Sequence, residues 1–214
     1  LHYSLTSSLT LFQVSPTQPL FPSNRRMGFF SALQQFLGVG KRTVNIIVVG
    51  LDNSGKTTIL NSLRNEETKV SQVVPTVGMS VTQFGVPGIN FSAFDMSGQG
   101  KYRTLWESYY AKAEGIMFVV DSADRLRMSV ARDELFMLID NKETRKCPIL
   151  IMANKSDLNE ALSAAEISTA LGLDMIRGRA WHIASTSAVT GSGVQQALEW
   201  LSTNVKDYIE RRGI

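Results

Sequence analysis

The stretch that decides the fold is Gly50-Leu51-Asp52-Asn53-Ser54-Gly55-Lys56-Thr57. It has the spacing G-x-x-x-x-G-K-[ST] of a phosphate-binding loop, and it lies between an apolar strand pattern at 44–49 and a helical pattern at 57–63. Free backbone N–H groups and the positive end of the helix dipole converge on such a loop, so it binds anions. We expect Lys56 to reach the β- and γ-phosphates of a nucleoside triphosphate and the Thr57 hydroxyl to ligate magnesium. The predicted nucleotide-binding residues here are the eight of the motif and Thr58.

Composition limits the class of protein. The chain has 214 residues, a net charge of +3 and 43% hydrophobic residues, which suits one α/β domain with a sizeable core. The charge is small and no basic run of five residues occurs, so nucleic acid is not an expected partner. The single cysteine, Cys147, excludes an internal disulfide framework and fits a reducing compartment. No stretch approaches the ~18–20 apolar residues that a membrane span requires.

The first 40 residues differ from the rest of the chain. Residues 1–26 are rich in Ser, Thr, Pro and Gln, contain no acidic residue, and are predicted to be a disordered leader or extension. Residues 27–40 are predicted to form an amphipathic helix, with one apolar face made of Phe29, Phe30, Leu33, Phe36 and Leu37. That face could lie on a membrane surface or pack on the protein itself, and the sequence leaves both open. Gly28 is not expected to be myristoylated, because Ala32 stands where the motif needs Ser or Thr.

Strand and helix patterns alternate along residues 41–214. Strand patterns at 81–86 and 89–94 flank a Pro-Gly turn, and apolar runs at 115–120 and 149–152 suit buried parallel strands. The other patterns are a weaker strand at 181–184 and three amphipathic helices at 128–140, 163–171 and 193–211. This order predicts an α/β fold with a six-stranded, mostly parallel sheet, one antiparallel edge hairpin and helices on both faces. Such sheets bind ligands at the carboxyl ends of their strands.

Residues around the hairpin fit the phosphate end of the ligand. Asp95, after the second hairpin strand, can hold the magnesium shell through water from the side opposite Thr57. Gly98 lets a backbone N–H approach the γ-phosphate, and Gln99 can orient the attacking water. Thr76, in the loop before the hairpin, can give magnesium a second hydroxyl ligand and bond the γ-phosphate. Because that contact needs a triphosphate, the Thr76 loop is expected to order with GTP and loosen after hydrolysis.

The segment Asn154-Lys155-Ser156-Asp157 indicates guanine as the base. The Asp157 carboxylate can accept hydrogen bonds from N1–H and the 2-amino group of guanine, and adenine lacks these donors. Lys155 offers its alkyl stem to the base, and Asn154 can brace the loop. Ser187 and Ala188, after the last strand, are expected to supply a backbone N–H to guanine O6. GTP or GDP is therefore the expected ligand, with Mg²⁺ as cofactor.

In this order the motifs resemble those of small regulatory GTPases, and in particular the ADP-ribosylation-factor (Arf) family. The resemblance covers residues 41–210 and rests on Gly50-Leu51-Asp52, Pro75-Thr76-Val77-Gly78, Leu105-Trp106 with Tyr109-Tyr110, and Val120-Asp121-Ser122-Ala123-Asp124-Arg125. It implies the small-GTPase phosphate-loop fold, a GTPase domain at 41–214, and slow GTP hydrolysis with Lys56 and Gln99 as catalytic residues. Most Arf proteins carry two glycines before the glutamine, and here Ser97 replaces the first.

The resemblance also implies partners. These are an exchange factor, a GTPase-activating protein, and a membrane surface contacted through the N-terminal amphipathic helix. The matching effector surface is Met79, Phe94 and Tyr109, where a methionine replaces one of three usual aromatic residues. The strings at 94–103 and 124–128 resemble the ciliary branch of the family. That implies a cytoplasmic, peripheral-membrane and monomeric protein that recruits a BBSome-type coat at the cilium base or ciliary membrane.

Alternatives to this interpretation remain at the level of sequence. The chain could be an Arf-like GTPase of another vesicle-traffic pathway. It could also be a nucleotide-locked binding module with negligible hydrolysis, which Ser97 beside Gln99 makes conceivable. A metabolic phosphate-loop kinase is disfavoured, because such an enzyme has no need for the guanine-selective motif that ends at Asp157.

Overall fold

The computed structural model describes residues 42–99, 103–144 and 146–213, without the side chains of 103–105. The predicted leader at 1–26 and the predicted amphipathic helix at 27–40 lie outside these residues. A single sheet organises the described chain, and it contains six strands in the order β2-β3-β1-β4-β5-β6. The strands are β1 (Thr43–Val49), β2 (Met79–Val86), β3 (Ile89–Met96), β4 (Gly115–Asp121), β5 (Ile149–Asn154) and β6 (Trp181–Ser185).

Pairing within the sheet confirms the predicted fold class. β2 and β3 pair antiparallel as an edge hairpin, while β3, β1, β4, β5 and β6 pair parallel. β2 begins at Met79, two residues before the predicted start at 81. Met79 pairs with Met96 and Ser80 with Asp95, so the antiparallel pairing continues beyond the residues of the predicted strand. The longer hairpin brings the loop that contains Thr76 directly onto the site edge of the sheet.

Helices cover both faces of this sheet. They are α1 (Lys56–Ser62), α2 (Arg103–Tyr110), α3 (Met128–Asp140), α4 (Ala164–Leu171) and α5 (Val194–Arg212). Within β1, Ile46 packs with α1 and α5 in one core cluster, while Ile47 packs with α2, α3 and α4 in the other. β1 therefore buries side chains on both faces, which explains its unbroken apolar sequence. Among the described residues, no helix is both long and apolar enough to cross a membrane.

Helix starts follow local sequence rules where these are strong. The Ser163 hydroxyl accepts a hydrogen bond from the Glu166 N–H at 3.2 Å, and the Glu166 carboxylate accepts one from the Ser163 N–H at 2.8 Å. These two bonds form a capping box, which fixes the first turn of α4. α1 begins differently, since Gly55 precedes it in a left-handed conformation with no side-chain cap. The amide groups of that turn thus stay available to a ligand.

Candidate nucleotide site

Glycine geometry shapes the phosphate loop, residues 50–57, between β1 and α1. Gly50 has φ 139°, and a Cβ there would lie 2.2 Å from the Val119 carbonyl oxygen. Gly55 has φ 93°, and its Cβ would lie 2.2 Å from Asn154 Nδ2. Both positions combine a backbone conformation that side chains rarely adopt with a close neighbour, so only glycine fits. The loop is therefore held tightly between β4 and the end of β5.

Lys56 lies inside this loop and is only 6% exposed. Its ammonium group donates to the carbonyl oxygens of Gly50 and Leu51, at 3.0 and 2.7 Å. Burial lowers the pKa of Lys56 to about 8, while the carboxylates of Asp95 and Asp52 oppose that shift. A phosphate ester placed against Lys56 adds negative charge, so a bound nucleotide would favour the charged form of this amine.

Three oxygen atoms predicted to hold magnesium meet at one point. Thr57 Oγ1 donates to Asp95 Oδ2 at 2.7 Å, and Thr76 Oγ1 contacts the same oxygen at 2.9 Å. The two threonine hydroxyls are 2.8 Å apart. Asp95 is fully buried, and burial raises its pKa while the hydrogen bonds from Thr57 and Thr76 oppose the shift. Among the described residues, Asp95 Oδ1 has no hydrogen-bond partner.

This donor set fits Mg²⁺. Hydroxyl and carboxylate oxygens are the hard ligands that Mg²⁺ prefers, together with phosphate oxygens and water. A threonine hydroxyl can donate its proton to Asp95 while its lone pairs face a cation, so Asp95 could serve a bound cation without contacting it directly. Within the described parts of the chain, no group of three or more His, Cys, Asp or Glu side chains forms a metal site. A cation here would therefore depend on the nucleotide for part of its shell.

The segment after β3 closes over the phosphate loop. A Cβ on Gly98 would lie 2.2 Å from the Asp52 backbone nitrogen, so the two backbones touch. Ser97 is buried, its N–H donates to the Gly78 carbonyl at 2.9 Å, and its hydroxyl accepts weakly from the Gln99 N–H at 3.4 Å. The Gln99 side chain is exposed. A cavity of about 310 Å³ lies between these residues, the phosphate loop and residues 73–76.

Asn154 connects the two loops that were predicted to contact guanine. Its Nδ2 donates to the Ser54 carbonyl at 2.9 Å, and its Oδ1 accepts from the Ala188 N–H at 3.0 Å. The Ser187 N–H donates to the Ser192 carbonyl, also at 3.0 Å. Of the two residues predicted to supply a backbone N–H to guanine O6, Ala188 therefore donates its N–H to Asn154 in this structure and Ser187 donates its N–H to Ser192. A base bound here would have to share one of these N–H groups or replace its partner.

Lys155 and Asp157 both follow β5 and differ in their contacts. Lys155 has φ 63°, and its ammonium group pairs with Asp121 Oδ2 at 2.6 Å. The Asp157 carboxylate is exposed, and no hydrogen bond or ion pair joins it to the described part of the chain. It is therefore available to a ligand.

Sequence reasoning missed two acidic residues and one arginine at this site. Asp121, at the end of β4, holds Lys155. Arg127 donates to Asp52 Oδ1 at 2.8 Å and to Asp124 Oδ2 at 2.6 Å, and thereby joins the phosphate loop to the turn before α3. Asp121 and Arg127 belong to the segments 120–125 and 124–128, which resemble the Arf family in sequence but were given no role in the site. The position of Asp121 at the carboxyl end of a predicted strand, where such sheets bind ligands, could have indicated a role in the site.

The predicted effector residues lie on one surface. Phe94 and Tyr109 are half-buried, and their ring centroids are 5.2 Å apart at an interplanar angle of 39°. Met79 is also half-buried, and all three pack against the core cluster that contains Ile47 and Trp106. Met79 and Phe94 belong to the hairpin and Tyr109 to α2. This surface thus spans two elements that adjoin the loops around Thr76 and Gln99.

Comparison with known proteins places these features in a family. The model of the ADP-ribosylation factor family matches residues 29–205. A protein of Caenorhabditis elegans named ADP-ribosylation factor-like protein 6 is 52% identical over 188 residues, which cover 87% of this chain and 99% of that relative. The zebrafish (Danio rerio) protein of the same name is 44% identical over 182 residues, covering 84% of this chain and 98% of the relative.

A solved structure shares the fold. It is that of the Arl6 BBS3 small GTPase from Trypanosoma brucei with a bound nucleotide analogue, GppNp. The TM-score is 0.72 at 33% sequence identity, and the match covers 78% of this chain and 99% of the trypanosome chain. The similarity therefore extends over both the sequence and the architecture of the described domain.

Proposed function

The chain belongs to the ADP-ribosylation factor family of small GTPases, and we propose that it is a GTP-dependent switch that recruits a BBSome-type membrane coat for ciliary traffic. Members of this family bind guanine nucleotides and hydrolyse GTP. The proposal adds the roles of individual residues, the use of Mg²⁺, the membrane site and the coat. Its main support is the convergence of Thr57, Thr76 and Asp95 on one point beside the phosphate loop.

The proposed roles in hydrolysis follow from position. The amides of the phosphate loop and Lys56 bind the phosphates. Thr57 and Thr76 would hold Mg²⁺ directly and Asp95 would hold it through water, and the ion would supply positive charge to the phosphates. Gln99 is exposed at the mouth of the cavity, where its amide can orient an attacking water. Within the described residues we assign no arginine to the γ-phosphate, so an activating protein is expected to supply one, worth ~10³–10⁵ in rate.

The proposed switch lies in the loop that ends at Thr76. The Thr76 hydroxyl reaches Thr57 and Asp95 from 19 residues away in sequence, and the valines of this loop, Val74 and Val77, are exposed. Few apolar contacts hold such a loop, so its order depends on the ligand. A γ-phosphate adds contacts at Thr76, and their loss after hydrolysis releases the loop. An exchange factor is then needed to replace GDP.

The proposed base site comprises Asn154, Lys155, Asp157, Ser187 and Ala188. Asn154 bonds both the Ser54 carbonyl and the Ala188 N–H, while the exposed Asp157 carboxylate can accept hydrogen bonds from guanine. The proposed effector surface is Met79, Phe94 and Tyr109, next to the switch. A methionine in place of an aromatic residue gives this surface an adaptable contact.

We also propose that residues 27–40 contact the membrane. The location that we propose for the protein is the cilium base or the ciliary membrane.

The ciliary assignment rests on the sequence strings at 94–103 and 124–128 and on the subfamily to which the named relatives belong. Its test is capture of purified BBSome by the full chain, immobilised with GDP or with a non-hydrolysable GTP analogue. We expect retention on the GTP-analogue form alone, and its loss in Phe94→Ala. Met137→Ala is the matched control, because Met137 is an exposed apolar side chain on α3.

Equal capture on both nucleotide forms would contradict the switch. Capture on neither form, with guanine nucleotide still bound, would contradict the coat and favour the alternative, an Arf-like GTPase of another vesicle-traffic pathway. A chain that binds GTP but never converts it, even with an activating protein, would be a nucleotide-locked module.

A further inference from the structure

Arg127 connects the phosphate loop to the turn before α3. Its Nη1 donates to Asp52 Oδ1 at 2.8 Å and its Nη2 to the Asp52 carbonyl at 3.3 Å. The adjacent edge of the guanidinium, which shares Nη2, contacts Asp124, with Nε at 2.6 Å and Nη2 at 2.5 Å from Oδ2. Asp124 also caps the turn by accepting from the Arg127 N–H at 3.2 Å. Arg127 is thus oriented by one carboxylate and presented to the other.

Asp52 places a negative charge where the ligand is a polyanion. It lines the phosphate cavity together with Gly98 and Gln99. Its backbone nitrogen touches Gly98, the residue predicted to approach the γ-phosphate. A carboxylate in such a position repels the phosphates, and the repulsion grows with each phosphate that lies nearby. The loop therefore needs a compensating cation close to Asp52.

Folding stability does not explain the Asp52–Arg127 pair. The side chains of Asp52 and Arg127 are 59% and 37% exposed, and pairs as exposed as this contribute little to the free energy of unfolding. An anionic ligand makes this pair important, because the phosphate charges repel Asp52. The positive charge of Arg127 offsets that repulsion. The effect of Arg127 is therefore expected in nucleotide affinity rather than in melting temperature.

We infer that Arg127 is a positioning residue that neutralises Asp52 and so lets the phosphate loop accept a triphosphate despite its own carboxylate. The inference rests on the proposed placement of the γ-phosphate near Gly98 and Gln99. Lys56 faces the same region, and its charge is committed to the loop carbonyls until a nucleotide binds. Arginine suits the task because its planar fork holds Asp124 and Asp52 at once, which a lysine cannot do.

The test is a double-mutant cycle on the full chain, with Kd and dissociation rates measured for GDP and for a non-hydrolysable GTP analogue. Arg127→Gln should weaken binding of the GTP analogue about tenfold, with a smaller effect on GDP, because Asp52 is left unpaired beside the γ-phosphate site. Asp52→Asn should tighten binding of the GTP analogue, because it removes the carboxylate that repels the phosphates and leaves the charge of Arg127 beside them. The double variant Asp52→Asn/Arg127→Gln should recover most of the wild-type affinity, because no carboxylate remains to be neutralised.

Arg125→Gln is the matched control, since Arg125 lies in the same turn with an exposed side chain. It should leave both affinities within about twofold of the wild type, as expected for a screened surface charge. Similar melting temperatures for all variants show that the comparison is between folded proteins.

Two results would overturn the inference. If the double variant binds the GTP analogue as poorly as Arg127→Gln, then Arg127 acts by holding the loop in shape and not by neutralising Asp52. If Arg127→Gln resembles Arg125→Gln, Arg127 has no role in binding. A wild-type chain without guanine-nucleotide binding would refute the proposed function itself, which is a different outcome from either.

Discussion

The hydroxyl oxygens of Thr57 and Thr76 lie 2.8 Å apart, although one belongs to the phosphate loop and the other to the loop before the hairpin. Both contact the same oxygen of Asp95, a fully buried carboxylate at the end of β3. Three separate segments of the chain thus meet at one cluster of oxygen atoms. A cation that binds there with a triphosphate would couple the nucleotide to the position of the Thr76 loop.

Asp157→Asn should relax the selectivity of the site for guanine. The substitution replaces an acceptor of two guanine hydrogen bonds by an amide that can accept only one, so the preference for GTP over ATP should fall by roughly 10²-fold or more. Competition binding with both nucleotides measures this preference. Asp174→Asn, in a turn outside the site, should leave it unchanged. Full selectivity in Asp157→Asn would remove this residue from the base site.

Gln99→Leu should slow hydrolysis while GTP stays bound. Leucine cannot orient the attacking water, so the single-turnover rate should fall roughly 10²-fold, the lower end of the contribution of a positioned catalytic group. The nucleotide affinity should change little, because the Gln99 side chain is exposed at the mouth of the cavity. Gln195→Leu, on α5, is the matched control. A variant that hydrolyses GTP at the wild-type rate would contradict the assigned role.

Gly98→Ala tests the close approach of the segment after β3 to the phosphate loop. The new Cβ would lie 2.2 Å from the Asp52 nitrogen and 2.5 Å from the Leu51 carbonyl carbon, and backbone atoms cannot move aside as a flexible side chain can. We expect hydrolysis to fall roughly 10²-fold, because small displacements of positioning groups are costly. Gly85→Ala, whose Cβ meets only a side-chain oxygen at 3.1 Å, is the control. Unchanged turnover in Gly98→Ala would show that the contact is not needed.

Cys147 provides a probe of folding, since it is the only cysteine of the chain. The thiol is fully buried and contacts the Ala113 carbonyl at 3.2 Å, and burial raises its pKa. Labelling by a thiol reagent should therefore be slower than in the unfolded chain by at least ~10³-fold. Above the ordinary thiol pKa only the unfolded chain ionises, so this group lowers the free energy of unfolding as pH rises. Rapid labelling of the native protein would contradict this burial.

Much of the fold could be predicted because its rules are local. Strands such as β1 are apolar on both faces, and the Ser163–Glu166 capping box marks a helix start within four residues. Most of the site motifs could be predicted for a related reason, since those after β1, β3, β5 and β6 lie at the carboxyl ends of strands, while Thr76 lies in the loop before β2. The start of β2 was missed by two residues, because Met79 and Ser80 join the hairpin through pairing with β3 and not through their own alternation.

Contacts between distant residues could not be predicted. Arg127 and Asp52 are 75 positions apart, and nothing in either local sequence specifies that they meet. The same holds for the pairing of Lys155 with Asp121, and for the hydrogen bond from the Ala188 N–H to Asn154. Each of these depends on how the loops at the ends of different strands come together. A single sequence names the residues of a site more readily than it names their partners.

The central claim is that Thr76 senses the γ-phosphate, and the most direct test compares the affinities of Thr76→Ala and the wild-type chain for GDP and a non-hydrolysable GTP analogue with Mg²⁺ present. We predict that Thr76→Ala weakens binding of the GTP analogue about tenfold, the effect of losing a hydrogen bond to charged groups, and leaves GDP binding unchanged. Thr68→Ala, at an exposed threonine outside the site, should change neither affinity. Equal losses for both nucleotides, or no loss for either, would contradict the switch.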